Sequence, residues 1–421
     1  MYSRDASSVH YLLVDLRTLP ARLLRRARPV VAAAWPSIVA WLRGPVPRIV
    51  TIAIAVRLAT AVLAFFANVT IPAYQDQGFG VYRHRHAFWD SFARYDSGWY
   101  HGIARNGYEW VEGGRNNLAF PPAYPMTMRV AGKMLGGKPA DFYFGGIAVS
   151  WVASIAAMLM LFRLARLDLD DEAAERATAF ALLYPFAFFF GVVYSESLFL
   201  LSVLVAFYGF RTRNWALGAA GGLVACITRV NGILLLPALA WLVWRHVRTH
   251  RQGWAAPLAA LAVVPLGLVG YSAYCYALSG NPLEFIDSIR RWDYHPGGTP
   301  LTALHELVTR LVTQPYHYLV HGPMAPYDTL NGLAAVLALC LVPLVWWQLG
   351  TAYALFMVAN LMLPLSSGQY EGLGRYTSVF FPMAILAATI GQPTIRMVAL
   401  GLSAAFYALC LALFVNVHPL F

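Results

Sequence analysis

Charge is scarce in this chain: Asp, Glu, Lys and Arg together make up only 12% of its 421 residues, against 59% hydrophobic residues. A soluble fold has too little interior to hide that much apolar side chain, so an ordinary globular domain is excluded. Cysteine is scarce too. Cys226, Cys275, Cys340 and Cys410 all lie in apolar segments without metal-ligand spacing, so they read as small buried hydrophobes rather than metal ligands and say nothing about redox compartment. Ser/Gly-rich and other low-complexity linkers are missing, as is an inverted repeat of the kind found in transporters. Acidic charge is outnumbered, 20 Asp and Glu against 31 Lys and Arg, for a net charge of +11. The basic residues fall in short clusters between apolar segments, where they meet anionic headgroups and fix orientation, and this argues against nucleic-acid binding.

With a mean hydropathy of +0.55, the chain reads as an all-α polytopic membrane protein. Apolar runs of spanning or near-spanning length lie near 47–69, 141–165, 176–193, 197–211, 214–228, 230–246, 254–278, 328–348, 350–366, 375–392 and 395–417, about eleven helices. Residues 1–46 hold basic interfacial helices rather than a cleavable signal peptide, because Arg22, Arg25, Arg26 and Arg28 follow a proline-interrupted apolar stretch. Residues 47–421 then form one transmembrane domain. The clusters at Arg22–Arg28, Arg211 with Arg213, and Arg245–Arg251 belong on the cytoplasmic side. That threading sends two long segments, 70–140 and 279–327, to the opposite face, together with residues 194–197, 228–231 and 367–374. The segment 119–136, with Arg129 and Lys133, reads as a short interfacial helix. The long outer segments should pack onto the bundle as surface helices and loops.

Polar residues in such a chain are costly unless they act. Asp96, in Arg94-Tyr95-Asp96-Ser97-Gly98-Trp99-Tyr100, is the leading catalytic candidate, because Arg94, Ser97, Tyr100 and His101 surround it with groups able to bind a sugar or orient a carboxylate. The bland reading is an aspartate capping the helix that follows. Asp90 competes with it. Glu196, in Tyr194-Ser195-Glu196-Ser197, interrupts two apolar runs and either caps a helix or accepts from substrate hydroxyls. Arg229, in Thr228-Arg229-Val230-Asn231-Gly232, and Arg375, in Gly372-Leu373-Gly374-Arg375-Tyr376, stand at the outer ends of spans. A guanidinium suits phosphate recognition, and the alternative is snorkelling to headgroups. Arg375 is favoured over Arg229, since Gly372 and Gly374 leave backbone room and Tyr376 adds a hydroxyl. Arg290, Arg291 and Asp293 are a weaker version of the same idea. His84, His86 and His101 make a poor divalent site, so no metal and no cofactor are expected.

These motifs, with Gly107-Tyr108, Phe120-Pro121-Pro122-Ala123-Tyr124-Pro125, Tyr194-Ser195-Glu196-Ser197-Leu198-Phe199 and Gly374-Arg375-Tyr376, resemble the bacterial relatives of GPI mannosyltransferase II, the PIG-V-like group of GT-C glycosyltransferases. The resemblance covers roughly residues 47–392. It implies a multispanning enzyme that moves a sugar, typically mannose, from a polyprenyl-phosphate carrier to a glycan, glycolipid or protein acceptor on the non-cytoplasmic face of the membrane. It further implies that Asp96 is the general base. The substrate-binding candidates are Arg94, Tyr100, His101, Tyr124, Glu196, Arg229, Arg375 and Tyr376. Family members often show Arg-Trp-Asp, whereas this chain has Arg94-Tyr95-Asp96 and a separate Trp89-Asp90, which keeps Asp90 as an alternative base. The competing class is a polytopic lipid or solute transporter, against which stand the long outer segments and the one-sided motifs.

Overall fold

The computed structural model describes residues 44–74, 87–249, 253–291, 299–322, 324–366, 370 and 372–420. The chain divides into two units, residues 1–51 and 52–421. Of the first only residues 44–51 are described, so the basic interfacial helices expected within residues 1–46 lie almost wholly outside the described residues, as do His84, His86, Arg251 and Asp293.

The described residues form helices and no strand. Six are long and apolar enough to cross a membrane: Pro45–Thr70, Pro139–Ala165, Val230–Thr249, Ala255–Ser279, Ala325–Gln348 and Pro393–Val415. At about 1.5 Å per residue, helices of this length match a hydrocarbon core of about 30 Å. Shorter apolar helices, Trp215–Thr228 and Thr351–Leu365, lie among them. Glu196–Thr212 and Trp215–Thr228 approach closely because both present glycine: a Cβ on Gly209 would lie 2.3 Å from the backbone nitrogen of Gly218. Small residues at such crossings let backbones touch where lipid supplies no hydrophobic drive between helices.

Two of the apolar runs expected to be spans are broken instead. Residues 176–193 divide into the end of Asp171–Leu182, a turn, and a 3-10 turn at Ala187–Phe190. Residues 375–392 contain the short helices Leu373–Ser378 and Phe381–Ala388. Proline is the local cause: Pro185 disfavours the helical region for Tyr184 just after Asp171–Leu182, and Pro382, in the first turn of Phe381–Ala388, has no N–H with which to continue the helical ladder back to Ser378.

Irregular backbone buried away from water survives only if protein satisfies its polar groups. Here it does so. Ser403 donates to the Leu183 carbonyl at 2.7 Å, the Trp151 indole to Gly191 at 3.0 Å, Ser97 to Val193 at 3.1 Å and Arg57 to Ala187 at 3.3 Å. The Val193 N–H donates to the Phe92 carbonyl at 3.0 Å. Phe186 through Phe190 and Val192 through Tyr194 are all buried.

Within segment 70–140, Asp96–Asn106 packs against Ala123–Leu135. At 13 residues the second helix is too short to span, as its sequence implied. Segments 70–140 and 279–327 also meet: Asn116 Nδ2 donates to Glu284 Oε1 at 3.3 Å, an oxygen that Arg291 also holds at 2.5 Å, and Arg115 Nε donates to the Arg291 carbonyl at 3.1 Å, while the Tyr271 hydroxyl, on the helix Ala255–Ser279, donates to the Leu118 carbonyl at 2.7 Å.

Candidate active site

Three of the four charges that single themselves out in the sequence sit where a helix dipole favours them. Asp96 and Glu196 are the first residues of Asp96–Asn106 and Glu196–Thr212, near partially positive N-termini, and Arg229 caps the C-terminus of Trp215–Thr228. None of these placements needs a partner. Yet the fold brings all three together with Arg375.

Arg375 Nη1 donates to Asp96 Oδ2 at 2.6 Å. Its Nε lies 3.0 Å from Glu196 Oε1. Arg229 Nη1 donates to the same oxygen of Glu196 and approaches Ser195 Oγ at 3.4 Å, while its Nε donates to Asn231 Oδ1 at 3.3 Å. The result is an alternating chain, Asp96, Arg375, Glu196, Arg229, of two carboxylates and two guanidiniums and no formal net charge. Rings enclose it: Arg375 lies over Tyr194 at 5.4 Å, and Arg229 over Tyr376 at 5.1 Å and Phe199 at 5.9 Å.

Exposure is graded along the chain. The Glu196 side chain is 1% exposed, those of Arg375 and Asp96 15% and 17%. Glu196 Oε2 is buried and has no hydrogen-bond partner. A carboxylate oxygen in that state is a demanding acceptor for a hydroxyl or an N–H.

Asp96 does not act as a cap. The helix N-cap is Tyr95, whose φ of 50° and ψ of −112° are strained for a residue with a side chain, and no side chain caps the helix. Strain of this kind costs about 1–3 kcal/mol and persists where surroundings impose it. Here the Tyr95 hydroxyl donates to the His418 carbonyl at 2.6 Å and its ring rests on Phe414, centroids 5.8 Å apart. The Asp96 N–H in turn points at the Tyr194 hydroxyl, 3.3 Å away.

The remaining sequence candidates fall into other roles. Arg94 is 2% exposed and fully engaged: Nη2 donates to Asp90 Oδ2 at 2.8 Å and to Asn68 Oδ1 at 3.1 Å, Nε to the Val415 carbonyl at 2.7 Å, and Nη1 to the carbonyls of Asp90 and Ala93. It clamps segment 70–140 to two spans and leaves Asp90 outside the charge chain. Tyr124 donates to the Gly146 carbonyl at 3.1 Å and shares a 2.9 Å bond with Ser150, which docks the proline-rich motif onto Pro139–Ala165. His101 stacks on Tyr143 at 4.0 Å and bonds the Pro139 carbonyl at 2.9 Å. Burial, with Arg105 nearby, draws its pKa down despite that carbonyl. Tyr100 stays beside the cluster, donating to Ser195 Oγ at 3.0 Å. Burial first, then the Glu196 and Asp96 carboxylates, push its hydroxyl pKa up, so it remains a neutral donor. The room expected beside Gly374 is filled: a Cβ there would meet the Phe186 ring at 2.2 Å, so this glycine serves packing. Tyr194 and Ser195, quoted in the sequence only as flanks of Glu196, are bonded members of the site. Among the described residues no group of three or more His, Cys, Asp or Glu side chains is arranged to hold a metal ion.

Residues 71–243 match the family model Mannosyltransferase (PIG-V). That stretch contains Asp96, Glu196 and Arg229, whereas Arg375 lies beyond it. No curated protein sequence matches the chain. Among solved structures, the archaeal oligosaccharyltransferase AglB from Archaeoglobus fulgidus, in complex with an inhibitory peptide and a dolichol-phosphate, aligns with 87% of this chain at 12% identity and a TM-score of 0.45, over 56% of its own length. ArnT from Cupriavidus metallidurans, bound to undecaprenyl phosphate, aligns with 88% of this chain at 13% identity and a TM-score of 0.48, over 76% of its own length. The chain thus spans little more than half the length of the archaeal structures it matches.

Proposed function

We propose that this protein is a membrane glycosyltransferase of the GT-C type that transfers a sugar, mannose, from a polyprenyl-phosphate carrier to a hydroxyl acceptor on the non-cytoplasmic face. The observation that carries this reading is the convergence of Asp96, Glu196, Arg229 and Arg375, which come from four separated segments and meet beside an embedded, non-helical stretch of chain. The match of residues 71–243 to a mannosyltransferase family supports it.

In the proposed reaction Asp96 accepts the proton of the acceptor hydroxyl as that oxygen attacks the anomeric carbon. The bond from that carbon to the carrier phosphate breaks, with inversion, and the departing phosphate gains negative charge next to the guanidiniums. Arg375 is the group best placed to receive it. Because Arg375 also holds Asp96, an arriving phosphate competes with the carboxylate for the same donors and frees Oδ2 to act as base. The arginines thereby take the cationic role, and transfer is proposed to be independent of metal. Glu196 anchors both arginines through Oε1 and offers Oε2 to a sugar hydroxyl.

Incubation of membranes with radiolabelled polyprenyl-phosphate-mannose, followed by analysis of labelled products, tests the reading. Label should move to a new product in the wild type and remain on the carrier in Asp96→Asn. Carrier that crosses the bilayer with its sugar intact would assign the protein to transport instead.

A further inference from the structure

An open surface pocket of about 370 Å³ is walled by the helices Pro300–Thr313 and Pro315–His321, the start of Ala325–Gln348, and Tyr370. Its polar side chains are those of Glu306, Arg310, His317, Tyr318, His321, Asp328 and Tyr370. None of them belongs to the charge chain around Asp96.

We propose that this pocket binds a neutral sugar unit, the glycan portion of the acceptor, a role that rests on the glycosyltransferase reading although the binding itself does not. Charge is the first argument. Arg310 is already spent on Glu306, one helical turn away, and lies over the Tyr318 ring at 5.6 Å. With His317 and His321 counted as neutral, Asp328 then leaves the pocket one formal negative charge in excess, which disfavours a phosphate or carboxylate ligand. The second argument is chemistry. The Asp328 carboxylate accepts from sugar hydroxyls, and Tyr318 and Tyr370 add apolar ring surface and hydroxyls. Placement is the third. Asn331, about one turn beyond Asp328 on the same helix, accepts the Gly374 N–H at 2.8 Å, and Gly374 adjoins Arg375, the partner of Asp96. Tyr370 leads into that same segment. The helix that carries Asp328 and the segment that carries Arg375 are therefore joined directly.

Methyl α-mannoside, titrated into the full-length protein in detergent and followed by saturation-transfer NMR, tests this without any enzymatic turnover. Saturable binding is expected in the wild type and in Asp96→Asn. Asp328→Ala and Tyr318→Ala should each weaken it by about tenfold or more, whereas Tyr318→Phe, which keeps the ring and the fold, should stay within about threefold. Mannose 6-phosphate should bind at least about tenfold more weakly than methyl α-mannoside. Absence of binding in the wild type, unchanged binding in both alanine variants, or preference for the phosphorylated sugar would each overturn the proposal. Failure of mannose transfer with mannoside binding intact would overturn the glycosyltransferase reading alone.

Discussion

Asp90 and Asp96 lie a few residues apart in segment 70–140, and each faces an arginine, yet the two pairs differ in construction. Asp90 and Arg94 belong to one stretch of chain, their side chains are 3–9% exposed, and the guanidinium is saturated by two side chains and three backbone carbonyls. Asp96 and Arg375 come from opposite ends of the sequence, are 15–17% exposed, and share Arg375 with Glu196, whose second oxygen has no partner. A saturated buried pair has nothing left to offer a ligand and serves the fold. An open pair with an unanswered acceptor beside it is held ready for one.

Substitution should separate the two pairs most sharply at Asp96. Asp96→Asn is expected to lower transfer by about 10²–10⁴-fold, the range for loss of a general base, with an unchanged thermal melt. Residual activity near wild type would move the base elsewhere, Asp90 being the first alternative. The converse holds for Asp90→Leu, which strands a buried arginine. Its cost should appear as stability, about 3–5 kcal/mol, read by thermal unfolding in detergent, while the protein that still folds transfers sugar at close to the normal rate.

A smaller contrast lies within the open cluster. Arg375→Lys keeps the charge but loses the fork that spans Asp96 and Glu196, and should cost about 10–100-fold in transfer. Arg229→Lys, one step farther from Asp96, should cost about threefold to tenfold. Equal effects would mean that both arginines hold the donor phosphate alike.

The smallest effect concerns His101, beside the site but bonded to Pro139. Its folded pKa lies below the ordinary value of about 6.5. The neutral ring is therefore the form the fold favours, and its contribution is complete above about pH 6.5 and lost as pH falls through that value towards the folded pKa. The melting temperature should drop between pH 7 and 5, and His101→Phe should flatten that part of the curve.

Much of the site is legible because a lone charge in an apolar context is conspicuous. Asp96, Glu196, Arg229 and Arg375 stand out on that ground, and the structure brings them together. Arg94, Tyr124 and His101 stand out equally as residues, but their roles depend on acceptors no local pattern reveals: the carbonyls of Val415, Gly146 and Pro139. The breaks at 183–195 and 379–380 were masked by continuous hydrophobicity, although Pro185 and Pro382 carried the signal.

By itself, then, the sequence determined that the chain is helical and membrane-embedded, since apolar runs long enough to cross a bilayer have few other ways to satisfy their backbone. It also determined which few side chains cannot be explained by lipid. Only the tertiary structure decided which acid faces which arginine. Asp90 finds Arg94 four residues on in the same stretch of chain, whereas Asp96 must wait for a residue 279 positions away. Such pairing is set by how the spans pack, and packing is a property of the whole bundle rather than of any window along it.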